Sequence, residues 1–475
     1  MNILFAASEA APYVKTGGLG DVMQALPREL ADGKGQQVAV VLPLYRRIKT
    51  NPQWRLEFVT SFGMYLSWRE LHVGVFRAQY HHVTYYFIDN DYYFGGRDSV
   101  YGDYDDGERF AYFSKAVLEM LRRIGYFPDI LHCNDWQTAL IPVLLKASFS
   151  DDGRYHGMKT VFSIHNIEYQ GKVAFGFLQE VLGLPQYWHN VLAMGECLDF
   201  MKGAIEVADR VCTVSRTYSY EIRYPYFSHG LDSVLQQHAH KLSGIVNGID
   251  FTVFDPASDP VLFEHFSAGE TDKKYRNKTF LQEKVGLPTR PDVPVIAMIS
   301  RLVEHKGLDL VCGICDEWMK RDVQLVAIGT GERQYEDMLR YLAYTYPDKV
   351  SANLLFDPVL ANQVYAGADF FLMPSKSEPC GLSQLIAMRY GAIPIVRETG
   401  GLVDTVPPLN TETLEGRGFT FKAYNAHDML DAIDRAVSFY HQTDKRRAVV
   451  EQVMRYDSSW AQPGQEYLDL YQSIS

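Results

Sequence analysis

Two series of short apolar segments alternate with helical stretches along this chain, and this alternation restricts the fold more than any other feature. The first series occupies residues 2–8, 36–43, 129–133, 159–165 and 209–215, and the second occupies residues 294–300, 323–331, 351–356, 369–375 and 392–398. Strands separated by helices form parallel sheets that are covered on both faces. The sequence therefore predicts an α/β protein with two doubly wound, Rossmann-like domains.

The limits of these domains follow from breaks in the pattern. The strand rhythm pauses at "VNGID", and a charged, irregular segment then runs to about Pro294. We place the first domain at residues 1–246, the second at 247–455 and a C-terminal helix at 456–475. Residues 70–90 interrupt the first series and resemble a β-hairpin inserted into that domain.

Composition excludes several classes of partner. The net charge is −12 with no basic block, which argues against binding to nucleic acid. No apolar run has the length of a membrane span, and we expect a soluble, cytoplasmic protein. The six cysteines are scattered, so free thiols are expected. The pair Cys312 and Cys315 falls one helical turn apart, and we interpret it as core or surface thiols in preference to a zinc or redox site.

Polar and charged residues gather where the predicted strands end. In the first series these residues are Asp135, Trp136, His165, Asn166 and, near the domain junction, Asn247. In the second series they are Arg301, Lys306, Glu378, Cys380, Gly381, Leu382 and Thr399. Ligands of open α/β sheets bind beyond the carboxyl ends of the strands. We therefore expect a deep cleft between two facing domains to hold the site.

The first strand is followed by "VKTGGLGDVM", which predicts an anion site at a helix start. A helix from about Leu19 would carry Val22, Leu26 and Leu30 on one face. Gly17 and Gly18 would let a ligand approach the free N–H groups, and Lys15 would add a positive charge. The alternative interpretation is a tight turn with a solvated lysine.

Seven strings, taken together, resemble the bacterial glycogen synthases and plant starch synthases. They are "KTGGLGDV", "HCNDWQTAL", "HNIEYQG", "VNGID", "SRLVEHKGLDL", "PSKSEPCGLSQLIAMRYGAIPIV" and "TGGLVDTV". The resemblance spans nearly the whole chain. It implies the two-domain glycosyltransferase fold and a retaining transfer of glucose from ADP-glucose to the 4-hydroxyl at the non-reducing end of an α-1,4-glucan. It also implies that no metal ion or other cofactor is needed, and that the C-terminal helix crosses back onto the first domain.

The same resemblance gives the site residues roles. Arg301 and Lys306 resemble the pair that binds the donor diphosphate, and Lys15 with Gly17 and Gly18 resembles an opposing clamp. Glu378 resembles the glutamate beside the transferred glucose. The remaining implied donor-binding residues are His165, Asn166, Asn247, Phe356, Cys380, Gly381, Leu382 and Thr399. The implied acceptor side comprises Glu9, Asp21, Asp135 and Trp136, and the implied catalytic set comprises Glu378, His165, Asp135, Lys306, Arg301 and Lys15.

Two departures bear on specificity. Related retaining transferases carry a second glutamate eight positions after the first, but this chain has Ile386 there, which favours the glucan synthase branch. Phe356 stands where some relatives place a tyrosine against the adenine, so ADP over UDP rests on the resemblance alone. Retention through a covalent intermediate or through same-face displacement stays open, and analogy favours the latter.

Competing interpretations have their own sequence signals. A catalytically silent glucan-binding protein need not keep Lys15, Arg301, Lys306 and Glu378 together. An NAD-dependent oxidoreductase would show G-x-G-x-x-G with an acidic residue downstream, and neither domain does. The aromatic and acidic loop 89–106 is a candidate glucan platform, although ordinary packing is the alternative for each tyrosine. The sequence does not determine the oligomeric state.

Overall fold

The computed structural model describes all 475 residues and contains two compact units. The first unit comprises Met1–Asn247 together with Trp460–Ser475, and the second comprises Gly248–Ser459. Each unit has its own hydrophobic core. The prediction of two doubly wound α/β domains is confirmed.

The first unit is built on a nine-stranded sheet in the order β12-β11-β7-β6-β1-β2-β5-β4-β3. A three-stranded sheet, β8-β10-β9, accompanies it. The strands are β1 (Asn2–Ala6), β2 (Gln37–Pro43), β3 (Glu57–Leu66), β4 (Arg69–Tyr80), β5 (Val83–Asp89), β6 (Ile130–Asn134), β7 (Lys159–Ile164), β8 (Lys172–Val173), β9 (Ala193–Met194), β10 (Cys197–Asp199), β11 (Arg210–Thr213) and β12 (Leu242–Gly244). The helices are α1 (Gly18–Arg28), α2 (Arg46–Lys49), α3 (Asp106–Ile124), α4 (Leu140–Ser148), α5 (Phe177–Glu180), α6 (His189–Leu192), α7 (Phe200–Val207), α8 (Arg216–Glu221), α9 (Pro225–Ser228) and α10 (Asp232–Gln237).

The predicted hairpin at residues 70–90 is present as antiparallel β4 and β5, but it is part of a larger structure. β3 pairs with β4, and β5 pairs in parallel with β2, so the three strands extend the main sheet to its edge. The helix expected after β1 is also confirmed. Val22, Leu26 and Leu30 are all buried, on α1 and the π-helical turn Glu29–Gly33 that continues it.

The second unit has a six-stranded parallel sheet in the order β15-β14-β13-β16-β17-β18. Its strands are β13 (Val295–Ile299), β14 (Gln324–Ile328), β15 (Val350–Asn353), β16 (Phe370–Met373), β17 (Ile393–Arg397) and β18 (Phe419–Phe421). Its helices are α11 (Thr271–Lys284), α12 (Leu308–Trp318), α13 (Arg333–Thr345), α14 (Pro358–Gly367), α15 (Ser383–Arg389), α16 (Gly401–Thr405), α17 (Ala426–Tyr440) and α18 (Thr443–Arg455).

The prediction that the segment up to Pro294 is irregular is wrong, because it contains α11. Apart from Leu281, the buried side chains of this helix are polar. Lys274 Nζ donates to the carbonyl oxygens of Ala366, Ala368 and Tyr390, each at 2.9 Å. Lys278 Nζ forms a buried ion pair with Asp369 at 2.7 Å. These ammonium groups replace the apolar contacts that usually hold a helix to a sheet, so the apolar periodicity is missing from the sequence.

The last helix, α19 (Ala461–Gln472), belongs to the first unit. It begins later than the predicted residue 456. Tyr467 and Tyr471 are buried in the core of that unit, and Tyr471 Oη lies 2.7 Å from His132 Nδ1 on β6. Burying each such side chain contributes about 2–3 kcal/mol, which explains why the chain end stays attached to this unit.

All six cysteines are free, and Cys312 and Cys315 lie on α12 as expected. No helix combines the length and the apolar character needed to cross a membrane.

Candidate functional site

Both large sheets reverse their strand order at one point, and most of the predicted site residues follow the strands that meet there. In the first unit the reversal lies between β1 and β6, and in the second it lies between β13 and β16. Such switch points open a crevice beyond the carboxyl ends of the strands. Glu9 and Asp135 follow the first pair of strands, whereas Arg301, Lys306 and Glu378 follow the second.

The start of α1 binds a carboxylate, and this carboxylate belongs to the protein itself. Glu9 Oε2 accepts hydrogen bonds from Thr16 N at 2.5 Å and Thr16 Oγ1 at 2.6 Å. Burial raises the pKa of Glu9, and the N–H groups of Thr16, Gly17 and Gly20 act in the opposite direction. The donors at this helix start thus bind the carboxylate of Glu9, and binding of a ligand's phosphate there stays a prediction.

Lys15 and Asp21 form an ion pair at 2.6 Å on the surface beside this helix start. The side chain of Lys15 is 44% exposed, so its ammonium group remains accessible. Gly18 is the first residue of α1, and Gly17 caps it with an extended backbone. The structure thus brings Glu9, Lys15, Gly17, Gly18 and Asp21 into one local cluster.

Asp135 joins the ends of β6 and β7. Its Oδ1 accepts hydrogen bonds from His165 N at 2.7 Å and Asn166 N at 3.3 Å. Its backbone lies at φ 57°, a conformation that costs a non-glycine residue on the order of 1–3 kcal/mol. The pKa of Asp135 is raised to about 7, mainly by burial and to a smaller extent by the charge of Glu9, against the lowering effect of the two N–H donors. A carboxyl group in this state can exchange a proton near neutral pH.

The ring of His165 is held in one tautomer by a residue that the sequence analysis did not single out. Asn134 Nδ2 donates to the carbonyl oxygens of Ala6 and His132, so its Oδ1 accepts the hydrogen on His165 Nε2 at 2.9 Å. Burial lowers the pKa of His165 to about 4. The ring is therefore neutral at pH 7, and its Nδ1 is left as an acceptor.

Trp136 forms part of a cavity of about 400 Å³ on the surface of the first unit. Its ring packs edge-on against Phe110, with the centroids 5.2 Å apart. Asp103, Tyr104, Glu168 and Lys172 also line this cavity. Asn247, which follows β12, is buried with an unpartnered Oδ1. Asn247 forms no hydrogen bond with the Asp135 cluster.

In the second unit, Lys306 and Glu378 form the central contact of the site. Lys306 Nζ lies 2.9 Å and 2.7 Å from the two carboxylate oxygens of Glu378. Ser375 Oγ also donates to Glu378 Oε2, at 2.8 Å. Glu378 is 6% exposed. Its carboxylate is bound by the ammonium group of Lys306 and the hydroxyl group of Ser375. Ser375 is another residue that the sequence analysis did not single out, although it lies in the same strand-to-helix turn.

Two glycines allow the turns around Glu378 to pack closely. Gly307 has a φ of 80°, and a Cβ added to it would lie 2.1 Å from Pro374 O. Gly400, at φ 47°, lies where a Cβ would come within 1.9 Å of Glu378 O. Because these glycines have no Cβ, two segments can pack directly against the Glu378 loop. They are the loop that carries Lys306 and the Thr399–Gly401 turn.

The other predicted residues of the second unit lie around this contact or away from it. Cys380, Gly381 and Leu382 lead into α15, where Gln384 Nε2 donates to Cys380 O and Gly381 O. Thr399 is fully buried beside Gly400, and Arg301 is exposed beyond β13. Phe356 follows the edge strand β15 and is 86% exposed, so it is not part of the Glu378 cluster. No cluster of three or more His, Cys, Asp or Glu residues could hold a metal ion.

Loop 89–106 is only partly available as a platform. Tyr93 and Phe94 are buried in the core, and Arg97 is bound by Asp103 and Asp105. Tyr104 is 95% exposed, at the rim of the Trp136 cavity. The packing alternative is confirmed for Tyr93, whereas Tyr92, at 63% exposure, and Tyr104 stay candidates for the platform.

Comparison with known proteins identifies the family of this chain. Residues 2–237 match the family model described as starch synthase catalytic domain, and residues 279–453 match glycosyl transferases group 1. The chain is 46% identical to the glycogen synthase of Clostridium botulinum, covering 100% of both chains. It is 45% identical to the glycogen synthase of Exiguobacterium sibiricum, covering 100% of this chain and 99% of the other.

Solved structures agree with this assignment. The catalytic domain of starch synthase IV from Arabidopsis thaliana, bound to ADP and acarbose, superposes with a TM-score of 0.92 at 34% identity, covering 99% of this chain and 98% of that one. Sucrose-phosphate synthase from Thermosynechococcus elongatus shares the fold alone, with a TM-score of 0.63 at 17% identity over 100% and 98% of the two chains. The resemblance drawn from the seven strings is confirmed, and the chain belongs to the glycogen and starch synthase family of glucosyltransferases.

Proposed function

We propose that the chain transfers glucose from ADP-glucose to the 4-hydroxyl at the non-reducing end of an α-1,4-glucan, with retention and without a metal ion. The observation that carries this proposal is the Lys306–Glu378 contact at the switch point of the second sheet. It places a cation and a carboxylate where a nucleotide-sugar ligand of such a sheet would bind.

The chemistry requires charge to be neutralised on both sides of one bond. When the bond between C1 of glucose and the diphosphate oxygen breaks, ADP leaves with the electron pair and positive charge develops on the sugar. We assign the departing phosphates to Lys306 and Arg301, with Lys15 as a further cation. Glu378 would face the sugar, where its carboxylate favours the cationic transition state.

The acceptor oxygen then bonds to C1 on the same face, and its proton passes to the departing phosphate. In this proposal neutral His165 binds a glucose hydroxyl through Nδ1, and Asn166 lies beside it. Asp135, Glu9, Asp21 and Trp136 form the acceptor side. The main-chain N–H groups of Cys380, Gly381 and Leu382 bind sugar hydroxyls, and Asn247, Thr399, Gly17 and Gly18 complete the donor pocket.

ADP as the nucleotide is supported by the starch synthase IV relative, whose structure holds ADP. In the proposal, exposed Phe356 stacks on the base, which by itself does not select adenine. The glucan acceptor is supported by the names of the glycogen synthase relatives. A cytoplasmic location agrees with six free cysteines.

The test is transfer of radiolabelled glucose to glycogen from ADP-glucose and, in parallel, from UDP-glucose, with EDTA present and with Glu378→Ala as the control. The proposal predicts rapid labelling from ADP-glucose that is lost in the variant. Labelling from UDP-glucose alone would overturn the donor. No labelling from either donor would favour a silent glucan-binding protein.

A further inference from the structure

Asn134 is buried where three strands of the first sheet end. It is the last residue of β6 and is 0% exposed. Its side chain contacts Ala6, the last residue of β1, and His165, which follows β7. The sheet reverses its strand order between β1 and β6. The amide group therefore lies at the switch point, where ligands of such sheets bind.

The neighbours of the Asn134 amide permit only one orientation of it. Nδ2 uses its two hydrogens on Ala6 O, at 3.1 Å, and His132 O, at 3.2 Å. The reversed amide would place Oδ1 against these two carbonyl oxygens, which cannot donate. Oδ1 therefore faces His165 Nε2 at 2.9 Å. Because an amide oxygen only accepts, the hydrogen of the neutral His165 ring lies on Nε2.

The groups around the ring leave it uncharged. The carboxylate of Asp135 binds the main-chain N–H of His165 and not its ring. The nearby imidazole of His132 bonds to Tyr471 and Ser163 through its two nitrogens, and burial lowers its pKa to about 3, so it is also neutral. A carboxylate at Nε2 of His165 would instead stabilise the imidazolium form, which donates from both nitrogens. An amide at this position does not.

A fixed tautomer gives the hydrogen bond to a ligand one direction. His165 is half-buried, and its ring makes one hydrogen bond within the protein, through Nε2. Nδ1 keeps a lone pair and has no hydrogen. A sugar hydroxyl can donate to this nitrogen, whereas a fluorine or a carbonyl oxygen at the same place would set two acceptors against each other. The ring therefore distinguishes a ligand group that donates from one that only accepts.

We propose that Asn134 is a positioning residue that makes the sugar pocket select a donating hydroxyl group at the position facing His165 Nδ1. The inference rests on the proposed function, because it assumes that His165 contacts the transferred glucose. It implies that His165 transfers no proton in the reaction, since its one ring hydrogen is bound to Asn134. Sugars with a fluorine, a carbonyl oxygen or a carboxylate at that position should be poor substrates even where they fit.

The test uses ADP-glucose and four analogues, in which fluorine replaces each hydroxyl group of the glucose in turn. At one carbon, fluorine should lower kcat/KM of wild type by about tenfold to hundredfold more than in Asn134→Leu, because a buried acceptor is left facing a second acceptor. In the variant neither tautomer is imposed. At the other carbons the two proteins should lose equally, so the effect of fluorine on the chemistry itself cancels. Equal losses at every carbon would overturn the proposal.

Thr138→Val is the matched control. Thr138 is 0% exposed, and its Oγ1 donates to Asn134 O at 2.9 Å, so the substitution removes a hydrogen bond from the same turn and leaves the amide in place. Its losses with the four analogues should equal those of wild type. If Thr138→Val shows the same reduced loss as Asn134→Leu, the effect belongs to the turn and the proposal fails. Asn134→Ser replaces the leucine variant if that does not fold, because a hydroxyl group can donate or accept and imposes no tautomer.

A second measurement needs no activity. In NMR spectra of protein with ¹⁵N-labelled histidine, the signals of His165 are those that His165→Gln lacks. We expect the hydrogen on Nε2 in wild type at neutral pH, and a mixture of tautomers in the Asn134 variant. A hydrogen on Nδ1 or a charged ring in wild type would overturn the proposal even if glucose is transferred. If no glucose is transferred, the proposed function fails, and the same fluorine losses, measured as Kd by calorimetry, decide whether the inference stands.

Discussion

Replacing Lys306 by methionine tests whether the cation beside Glu378 acts on the leaving group. Methionine keeps most of the length of the side chain but removes the charge. Lys306 Nζ now contacts both oxygens of a nearly buried carboxylate, at 2.9 Å and 2.7 Å. If this cation also meets the departing phosphates, its loss should cost about 3–4 kcal/mol in the transition state, or two to three decades in kcat.

The same substitution has a smaller effect on stability. Removing one partner of a buried ion pair costs about 3–5 kcal/mol. The side chain of Lys306 is 21% exposed and Ser375 still donates to Glu378, so we expect a cost nearer 1–3 kcal/mol. Urea unfolding followed by circular dichroism measures this cost, and steady-state kinetics at saturating ADP-glucose measures kcat.

Lys273→Met is the matched control, because Lys273 forms an ion pair with Glu270 at 2.6 Å on α11 of the same unit, outside the proposed site. It should leave kcat unchanged. Lys306→Arg should recover part of the activity, since the charge is kept while its geometry changes. A kcat for Lys306→Met within twofold of wild type would refute the leaving-group role.

Three further predictions concern protonation, loop packing and the buried face of α11. If acceptor binding requires the ionised carboxylate of Asp135, whose pKa is about 7 in the folded state, wild-type activity should fall below pH 7 through one group and Asp135→Asn should lack this acid limb. Between about pH 4 and 7 the Asp135 carboxyl is protonated in the folded state and ionised in the unfolded state. The free energy of unfolding of wild type should therefore fall relative to that of Asp135→Asn as pH rises through this range. An equal pH dependence of the two free energies would contradict this. Gly400→Ala should lower kcat by about tenfold or more with little change in the circular dichroism spectrum, because its Cβ would displace the main chain of Glu378. Lys278→Met should lower the free energy of unfolding by about 3–5 kcal/mol in urea titrations, because it strands the buried carboxylate of Asp369; a loss below 1 kcal/mol would contradict that assignment.

Most of the strands could be predicted because strands that are buried on both faces consist mainly of apolar residues and are followed by polar residues. This is why β1, β6, β7, β13 and β16 were recognised. α11 was not, since Leu281 is the one apolar residue on its buried face, and a single apolar residue gives no apolar period.

The positions of polar residues at the strand ends could be predicted, but the contacts that these residues make could not. The sequence placed Lys15 and two glycines at a helix start, yet it did not indicate that Glu9 binds the N–H groups there. It likewise did not indicate that Asn134 fixes the tautomer of His165, or that Ser375 holds Glu378. Such contacts depend on the distance between turns that are far apart in the chain, and local spacing does not encode this distance.

The measurement that tests the central claim most directly is a proton NMR time course of the protein with ADP-glucose and maltoheptaose. The account predicts growth of the α-1,4 anomeric signal in step with release of ADP, with no β-linked product and little free glucose, and loss of all these changes in Glu378→Ala. A β-linked product, or release of free glucose without chain growth, would contradict it.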